Sequence, residues 1–308
     1  MDLTAFAAEV GTAGPVTIAG LATRGGPVPH VRVTRAPAGI ESFLPDEMTV
    51  ACGAGTSVAE LQAVLAERGQ FATLPEGGTV GGALAVGRAG LLRLGHGPVR
   101  DTVLQCHAVL ADGAVVMAGG PTVKNVSGFD LCRVFVGARG TLGFFGAFIL
   151  RTRPRPPARR WYSVPADPWT VRRALFRPSS VLWDGRLTWV CLEGHPSDLD
   201  EQAVAAGLAE VAGPPPLPVA SRRVLEPAAL RLLSPEADGE FVAEIGVGVV
   251  HAARATPAET PAVTPADRAG PVAAVTARLK QLFDPDGRMN PGREPRAAMP
   301  VATAPGAR

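Results

Sequence analysis

Four segments rich in glycine and other small residues are the parts of this sequence most suited to binding chemistry. They contain no obvious acid, base or nucleophile, so what they can offer a ligand is their backbone. Turns of this kind present consecutive N–H groups to an anion, and the missing side chains let a bulky ligand approach closely. The segments are residues 16–23, residues 52–56, residues 74–85, and residues 124–130 together with 137–145.

The second segment, CGAGT at 52–56, begins like the GxGxxG dinucleotide-binding fingerprint, but Val58 stands in place of the third glycine. That fingerprint also needs a βαβ unit with an acidic residue about 20 residues further on. The chain at this point runs into a Pro/Gly loop instead. The sequence therefore disfavours a Rossmann site.

The other glycine-rich segments admit two interpretations each. The glycines around Thr79 suit close approach of the backbone to a pyrophosphate or a flavin ring, and they equally suit a tight turn leading into a helix. Residues 16–23 fit an ordinary strand-to-turn junction as well as an anion-binding turn. Glycines recur every third residue within 137–145. Each Gly costs about 1 kcal/mol relative to Ala in a helix, so this segment favours a loop that wraps a planar ligand.

Local signals predict the elements that would position these loops. A capping box at Ser57 and Glu60 predicts a helix that ends near Gly69. Strand-like runs at 103–110 and 114–118 flank an Asp-Gly pair, which indicates a hairpin. Hairpins mixed with a few helices predict an α+β fold with partly antiparallel sheets rather than a doubly wound parallel sheet.

A change of composition at 151–160 (RTRPRPPARR) predicts a domain boundary, because so many prolines do not continue a helix or a central strand. The stretch is interpreted as a solvated linker, with contact to phosphate or a partner as the alternative. We predict a first domain over 1–153, a second over 154–293 and a tail over 294–308. Within the second domain, residues 252–271 are rich in Ala, Pro and Thr and are predicted to be a disordered loop.

Two further patterns occur in the second half of the chain. Strand-like runs occupy 187–192 and 241–250. An amphipathic helix is predicted near the end from apolar residues at spacings of three and four, namely Val272, Val275, Leu279 and Leu282.

Composition excludes several classes of protein. The 308 residues are 46% hydrophobic with a formal net charge of +2, so a core can form and no basic footprint for nucleic acid is present. The four cysteines form no C-x-x-C pair, which predicts buried thiols in a reducing cytosol and no zinc site. The start of the chain has no signal-peptide pattern, and no apolar window reaches the roughly 18 residues of a membrane span. We therefore expect a cytoplasmic location without a membrane span.

Six motifs in a fixed order are similar to those of the FAD-binding PCMH-type domain of the vanillyl-alcohol-oxidase superfamily. They cover about residues 10–153, and the closing segment 279–293 resembles the terminal motif of the same flavoproteins. KNVSGFD, GTLG and FDPDGxxNPGR resemble most the FAD-binding accessory subunit of bacterial glycolate oxidase. The six motifs are PVTIAG, a strand-AGT-helix, LPEGGTVGGALAVGRAG, GPVRD, KNVSGFD and GARGTLGF.

The resemblance implies a two-subdomain FAD-binding fold of the α+β class, with a short C-terminal α+β cap domain. It also implies a cofactor site whose diphosphate turn is 19–23, although Leu21 and Ala22 stand where that family has glycine. The site residues that the resemblance implies are Ala19, Gly20, Leu21, Ala22, Thr23, Pro75, Thr79, Gly81, Gly82, Asp101, Ser127, Asp130, Gly140, Thr141, Phe144 and Asn290.

The resemblance also implies how FAD is held. Relatives attach flavin covalently through a His or Cys, and neither residue type follows the 19–23 turn or lies in the TVGG loop, so we expect non-covalent FAD. Related 2-hydroxy acid dehydrogenases carry a His-rich metal cluster in the second domain. In this chain His195 and His251 are isolated, so no metal site is expected and no catalytic residue is assigned.

A flavin site without a substrate pocket is typical of an accessory subunit. The resemblance implies that this chain works beside a larger catalytic flavoprotein and an iron–sulfur subunit, which together act on a small 2-hydroxy acid. Contact with the inner face of a membrane would then come through those partners. Two other hypotheses stay open: a self-sufficient FAD-dependent oxidase for a small hydroxyl substrate, and a non-catalytic interaction protein with a degenerate flavin site.

Overall fold

The structure is a computed structural model that describes residues 1–120, 131–254 and 271–293. Two compact units share the chain. The first comprises Met1–Gly90, Pro98–Arg155 and Ala269–Ala297, and the second comprises Leu91–Gly97, Pro156–Arg268 and Ala298–Arg308. The change of unit after Arg155 lies close to the predicted boundary. The closing motif, for which the sequence predicts a place in the second domain, lies instead in the first unit, because its side chains bond to the start of the chain.

The described residues form helices and strands that are mostly short. The helices are α1 (Thr4–Val10), α2 (Val58–Ala66), α3 (Val80–Val86), α4 (Arg93–His96), α5 (Leu131–Phe135), α6 (Pro168–Ala174), α7 (Pro196–Ala205), α8 (Pro235–Asp238) and α9 (Pro271–Phe283). The strands are β1 (Val16–Ile18), β2 (Arg32–Thr34), β3 (Ile40–Leu44), β4 (Thr49–Gly53), β5 (Gln70–Phe71), β6 (Val103–Val109), β7 (Val115–Gly119), β8 (Phe144–Arg151), β9 (Arg153–Pro154), β10 (Ala158–Val164), β11 (Ser180–Trp183), β12 (Thr188–Gly194), β13 (Ala209–Val211), β14 (Ser221–Val224), β15 (Phe241–Glu244) and β16 (Val249–Ala252).

The first unit is built on a five-stranded antiparallel sheet with the order β3-β4-β8-β6-β7. Strands β1 and β2 form a separate parallel pair, and β5 pairs with β9. The predicted hairpin is present as β6 and β7, with Val109 opposite Val115. The mixture of antiparallel sheets and short helices confirms the predicted α+β class.

Helix α2 illustrates how local sequence fixes an element. The Ser57 hydroxyl accepts a hydrogen bond from the Glu60 amide at 3.0 Å, as the capping box predicts. Val58, Leu61 and Leu65 are buried in the main core of the unit. Burying such a side chain stabilises the fold by about 1.5–3 kcal/mol, so the amphipathic face and the cap together fix this helix.

Helix α9 packs on a different face from the one predicted. Val275 and Leu282 are exposed, whereas Leu279 and Phe283 pack against the main core of the first unit. The helix is turned this way because Lys280 points inward, where its ammonium donates to the Thr141 carbonyl at 2.8 Å. Part of the predicted apolar stripe is therefore a solvent face.

The second unit contains a seven-stranded antiparallel sheet with the order β13-β10-β12-β11-β15-β16-β14. It holds more strands than the sequence pattern suggests, because the predicted run 241–250 is a hairpin, with Gly246 and Gly248 at positive φ between β15 and β16. Arg159 and Arg160 also lie in a strand, β10, which has neighbours on both sides. Their side chains pair with Glu193 and Asp200, so the Arg-rich stretch is not all linker.

The predicted disordered loop falls mainly on residues 255–270, which lie outside the described residues, as does the predicted tail. None of the helices in the described ranges combines the length and the apolar character needed to cross a bilayer.

Candidate cofactor site

A cavity of about 670 Å³ lies within the first unit. Its volume falls in the range of small-molecule and cofactor sites, which is about 300–1,000 Å³. The turn after β1, the turn before α2, the loop into α3, the turn before β8 and the end of the closing motif all line it. Residues of the glycine-rich segments at 16–23, 52–56, 74–85 and 137–145 therefore meet at one place.

The turn after β1 presents unpaired backbone donors. Ala19 still belongs to the β1–β2 ladder, since its amide donates to the Thr34 carbonyl at 2.9 Å. The next three amides, of Gly20, Leu21 and Ala22, have no acceptor among the described residues. Ala22 adopts a left-handed conformation with φ 57°. A turn with consecutive free N–H groups can bind an anion.

The loop into α3 is held by its own hydrogen bonds. The Thr79 hydroxyl caps α3 by accepting from the Gly82 amide at 3.1 Å, and the Gly81 amide donates to the Ala54 carbonyl at 2.8 Å. A Cβ added to Gly81 would lie 2.9 Å from the Cβ and the carbonyl oxygen of Ala54. Gly81 is therefore required first by packing within the protein, whereas the sequence suggests that a ligand requires it.

Arg24 joins the turn to this loop. Its guanidinium donates to the carbonyls of Gly77 and Glu76, both at 2.7 Å, and to that of Pro75 at 3.2 Å. These three carbonyls belong to the Pro-Glu-Gly stretch that precedes α3. Partial burial lowers the pKa of Arg24. The side chain thus fixes the spacing between two walls of the cavity.

Asn290 joins the closing motif to two other walls. Its amide oxygen accepts from the Thr17 hydroxyl at 2.7 Å, and its amide nitrogen donates to the Arg139 carbonyl at 2.8 Å. Gly140 has a φ of 70°, and a Cβ there would lie 2.6 Å from the Asn290 amide nitrogen. Glycine is needed at 140 because a side chain would displace Asn290.

The cavity is rich in cations. Its lining includes the side chains of Arg24, Arg88, Arg139 and Arg293 and, among the described residues, no aspartate or glutamate. Partial burial, and next the charge of Arg139, lower the pKa of both Arg88 and Arg293. Both causes are those expected of cations that lack a counter-ion, so the site suits an anionic ligand.

The structure brings most of the predicted site residues together. Those lining the cavity are Ala19, Gly20, Leu21, Ala22, Thr23, Pro75, Thr79, Gly81, Gly82, Gly140, Phe144 and Asn290.

Two predicted residues lie outside this lining. The exposed Asp101 carboxylate is 3.7 Å from Arg100 and 3.8 Å from Arg133. Thr141 is buried, and its hydroxyl donates to the Ala138 carbonyl at 2.6 Å. Ser127 and Asp130 lie outside the described residues.

The sequence motifs alone assign no role to the four arginines that line the cavity. A signal was present, because Arg88, Arg139 and Arg293 each stand beside a glycine within a glycine-containing motif, in GRAG, GARG and NPGR. A cation next to a tight backbone turn indicates an anion site only if the turns meet in space. Their meeting depends on the fold.

The described histidines of the second unit belong to no metal constellation. Among the described residues, no three His, Cys, Asp or Glu side chains lie close enough together to hold a metal ion. His251 contacts the buried Glu244 at 2.9 Å, and the exposed His195 contacts the Ser197 hydroxyl at 2.8 Å. Each of these histidines has a partner close by.

The residues present fit FAD. That cofactor joins an anionic diphosphate to two planar ring systems, and the cavity offers free amides, guanidinium groups and walls of small residues in one volume. No His or Cys lines the cavity within the described chain, so no residue type used for covalent attachment is seen there.

Comparison with known proteins agrees with this fit. Residues 16–119 match the model of a family described as FAD binding domain. Glycolate oxidase subunit GlcE of Escherichia coli strain K12 is 32% identical over 189 residues, which cover 57% of this chain and 53% of that protein. Glycolate oxidase subunit GlcD of Bacillus subtilis strain 168 is 39% identical over 82 residues, or 27% of this chain and 17% of that protein.

A third relative and a solved structure extend this comparison. D-lactate dehydrogenase of Archaeoglobus fulgidus is 37% identical over 113 residues, or 36% of this chain and 26% of that protein. The match thus spans about half the length of GlcE and less of the other two relatives. A solved structure of alkyldihydroxyacetonephosphate synthase aligns with 90% of this chain and 72% of that one, at TM-score 0.64 and 14% identity, which shows a shared fold.

Site geometry, domain match and fold agree. Residues 16–119 form an FAD-binding domain, FAD is the cofactor that this site accommodates, and parts of the chain are similar to subunits of glycolate oxidase and to D-lactate dehydrogenase.

Proposed function

We propose that this chain is the FAD-binding subunit of a glycolate-oxidase-type complex, a 2-hydroxy acid dehydrogenase, and that it holds FAD without a covalent bond. The observation that carries the proposal is the similarity to glycolate oxidase subunit GlcE, which extends over 57% of the chain.

The FAD site in this proposal is the arginine-lined cavity of the first unit. The turn after β1, the Thr79 loop and the Asn290 junction form its walls. All predicted FAD contacts stay predictions, both the cavity-lining residues and Asp101, Thr141, Ser127 and Asp130.

The side chains lining the cavity bear on which step this subunit performs. Oxidation of a hydroxy acid needs a proton acceptor within hydrogen-bond reach of the substrate hydroxyl. The polar lining within the described residues consists of Thr23, Thr79, Asn290 and arginines, none of which is a usual general base. Bound FAD supplies the hydride and electron chemistry. These residues would bind and orient the cofactor, and proton removal would fall to another subunit.

The partners in the proposal come from the family resemblance of the sequence, and the similarity to two glycolate oxidase subunits supports them. A larger catalytic flavoprotein would take the 2-hydroxy acid, and an iron–sulfur subunit would accept electrons. We place the assembly in the cytoplasm, which agrees with four buried cysteines that form no disulfide.

The deciding experiment compares glycolate and lactate dehydrogenation, with an artificial electron acceptor, by three samples: the FAD-loaded chain alone, the catalytic flavoprotein alone, and their mixture. We expect negligible turnover by the chain alone and restored turnover in the mixture. Robust turnover by the chain alone would replace the accessory role with a self-sufficient oxidase.

The mode of attachment has its own test. Acid precipitation of the purified yellow protein should release the chromophore into the supernatant, because no bond needs to be broken. A chromophore that stays in the pellet would contradict non-covalent binding.

A further inference from the structure

We propose that Arg88, Arg139 and Arg293 form a side-chain anion site that holds the diphosphate of FAD and is its main electrostatic anchor in this chain. The proposal rests on the assignment of FAD to this cavity. It differs from a site made only of backbone N–H groups, which is what the glycine-rich motifs alone suggest.

The three arginines come from segments far apart in the sequence. Arg88 follows Gly87, which ends α3 in a left-handed conformation. Arg139 lies in the turn before β8, and Arg293 is the last described residue of the closing motif. All three line the same cavity. Their meeting is therefore a product of the fold and not of a local run of basic residues.

Arg139 is the best-fixed member of the three. Its amide donates to the Ala85 carbonyl at 2.8 Å, and its carbonyl accepts from the Asn290 side chain at 2.8 Å. It also holds a left-handed conformation with φ 55°. The backbone from which the guanidinium extends is thus fixed on both sides of the residue. After partial burial, its charge is the second cause that lowers the pKa of both Arg88 and Arg293.

The charge around these arginines is unbalanced. No carboxylate of the described residues pairs with any of the three guanidinium groups, and only Arg293 has a neutral acceptor, the Gly26 carbonyl. Arg24 differs, because three carbonyls of the protein already occupy its guanidinium. Like charges gathered in a partly buried cavity are unfavourable unless an anion joins them. A diphosphate carries two charges and several acceptor oxygens, which guanidinium groups bind in a bidentate manner.

The turn after β1 is a weaker anchor than its place in the motif suggests. It offers the free amides of Gly20, Leu21 and Ala22, which carry only partial charges. The Leu21 side chain is also 60% exposed beside the cavity, where a glycine would leave room. A guanidinium adds a full positive charge and several donors, whereas each amide adds one donor and a partial charge. The arginines therefore provide the larger share of the attraction for the phosphates.

The test compares two flavins that differ in the diphosphate. FAD carries it and riboflavin does not, and binding of each is followed by flavin fluorescence on the full-length chain stripped of cofactor. Arg139→Gln should weaken FAD binding at least tenfold and leave riboflavin binding unchanged. Inorganic diphosphate should displace FAD from the wild type. A higher concentration of diphosphate should be needed to occupy the site in Arg139→Gln. Arg68→Gln, on an exposed side chain of the first unit, is the matched control and should change neither affinity.

Two further variants keep the test decisive. Arg139→Lys keeps the positive charge but loses the planar set of guanidinium donors. It should therefore bind FAD more tightly than Arg139→Gln and less tightly than the wild type. If Arg139→Gln does not fold, Arg88→Gln replaces it, because Arg88 is accessible to solvent. Unchanged FAD affinity in the folded variants would overturn the arginine site, and so would an equal loss of affinity for FAD and riboflavin. Either result would leave the assignment of FAD to the cavity intact. Failure of the wild type to bind either flavin would overturn the cofactor site itself.

Discussion

Two clusters of charged side chains, one in each unit, differ in how their charge is balanced. In the second unit the Glu193 carboxylate accepts hydrogen bonds from His96, Ser179 and Arg159, each at 2.5 Å. Burial alone would raise the pKa of Glu193, but these donors outweigh it and lower that pKa to about 2. In the first unit, the arginines of the cavity have no carboxylate partner among the described residues.

The difference separates a structural cluster from a binding site. The Glu193 cluster joins α4 to β12, and its charges are satisfied inside the protein, so its geometry needs no ligand. Arg88, Arg139 and Arg293 keep donors free at the cost of mutual repulsion, and such arrangements are typical of sites where an anion binds. This contrast leads to predictions that range from a large loss of stability to a small effect of salt.

Arg288 and Arg293 belong to the same closing motif but have different roles. The guanidinium of Arg288 is satisfied within the protein, whereas Arg293 lines the cavity. The buried Arg288 guanidinium donates to five backbone carbonyls, those of Val10, Gly11, Ala13, Gly14 and Ala111. Arg288→Met should lower the free energy of unfolding by about 4 kcal/mol, because it removes five hydrogen bonds from a charged donor, two of them to the carbonyls of the buried residues Val10 and Ala111.

The matched control for this prediction is Arg293→Met in the absence of FAD. It should cost less than about 1 kcal/mol, since one hydrogen bond to the Gly26 carbonyl is lost. Guanidinium chloride unfolding of both variants gives the comparison. Equal losses would show that Arg293 is also structural.

Glu193→Gln removes the charge that the second-unit cluster shares. The free energy of unfolding should fall by about 2 kcal/mol, because the neutral amide weakens charge-assisted hydrogen bonds to a carboxylate that is 10% exposed. Asp200→Asn, on the exposed partner of Arg160, should cost less than about 1 kcal/mol. FAD affinity should not change in either variant. A lower FAD affinity in Glu193→Gln would show that the Glu193 cluster and the cavity arginines are not independent.

The same cluster makes a prediction about acid. The ordinary pKa of glutamate is 4.5, and that of Glu193 in the folded chain is about 2. The carboxylate therefore stabilises the folded state fully above pH 4.5, and this contribution is lost as the pH falls from 4.5 toward 2. The difference in unfolding free energy between wild type and Glu193→Gln should shrink by about 1–2 kcal/mol over that window. A difference that stays constant with pH would contradict the assigned pKa.

The sequence predicted best what local rules decide. The capped helix α2 and the β6–β7 hairpin follow from a Ser/Glu box and an Asp-Gly pair, and both need only a few neighbouring residues. Motif order predicts the cavity walls, and the structure brings residues of all four glycine-rich segments to one place. Motif order carries this information because backbone-built sites need glycine at fixed places.

What the sequence could not predict depends on distant partners. The inward turn of α9 is set by Lys280, which contacts Thr141 far away in the chain. The prolines near Arg159 indicate a linker. Arg159 instead lies in a strand, and its ion-pair partner Glu193 lies in the adjacent strand. Likewise, nothing near Arg88 or Arg139 announces that their guanidinium groups share a cavity. Composition shows the charges, and only the fold shows which of them remain unpaired.

Salt gives the smallest effect and the most direct view of the contrast. Solvent-accessible charges are screened by added salt, with a Debye length of about 10 Å at 0.1 M and about 3 Å at 1 M. If the cavity arginines attract the diphosphate, FAD affinity should fall roughly fivefold, or about 1 kcal/mol, between about 0.1 M and 1 M salt. Riboflavin lacks the diphosphate, so its affinity should stay level over the same range. In Arg139→Gln the fall for FAD should be shallower, because one of the three cations is gone. Parallel salt curves for the two flavins would mean that hydrophobic contact, and not guanidinium charge, governs how this cavity holds its cofactor.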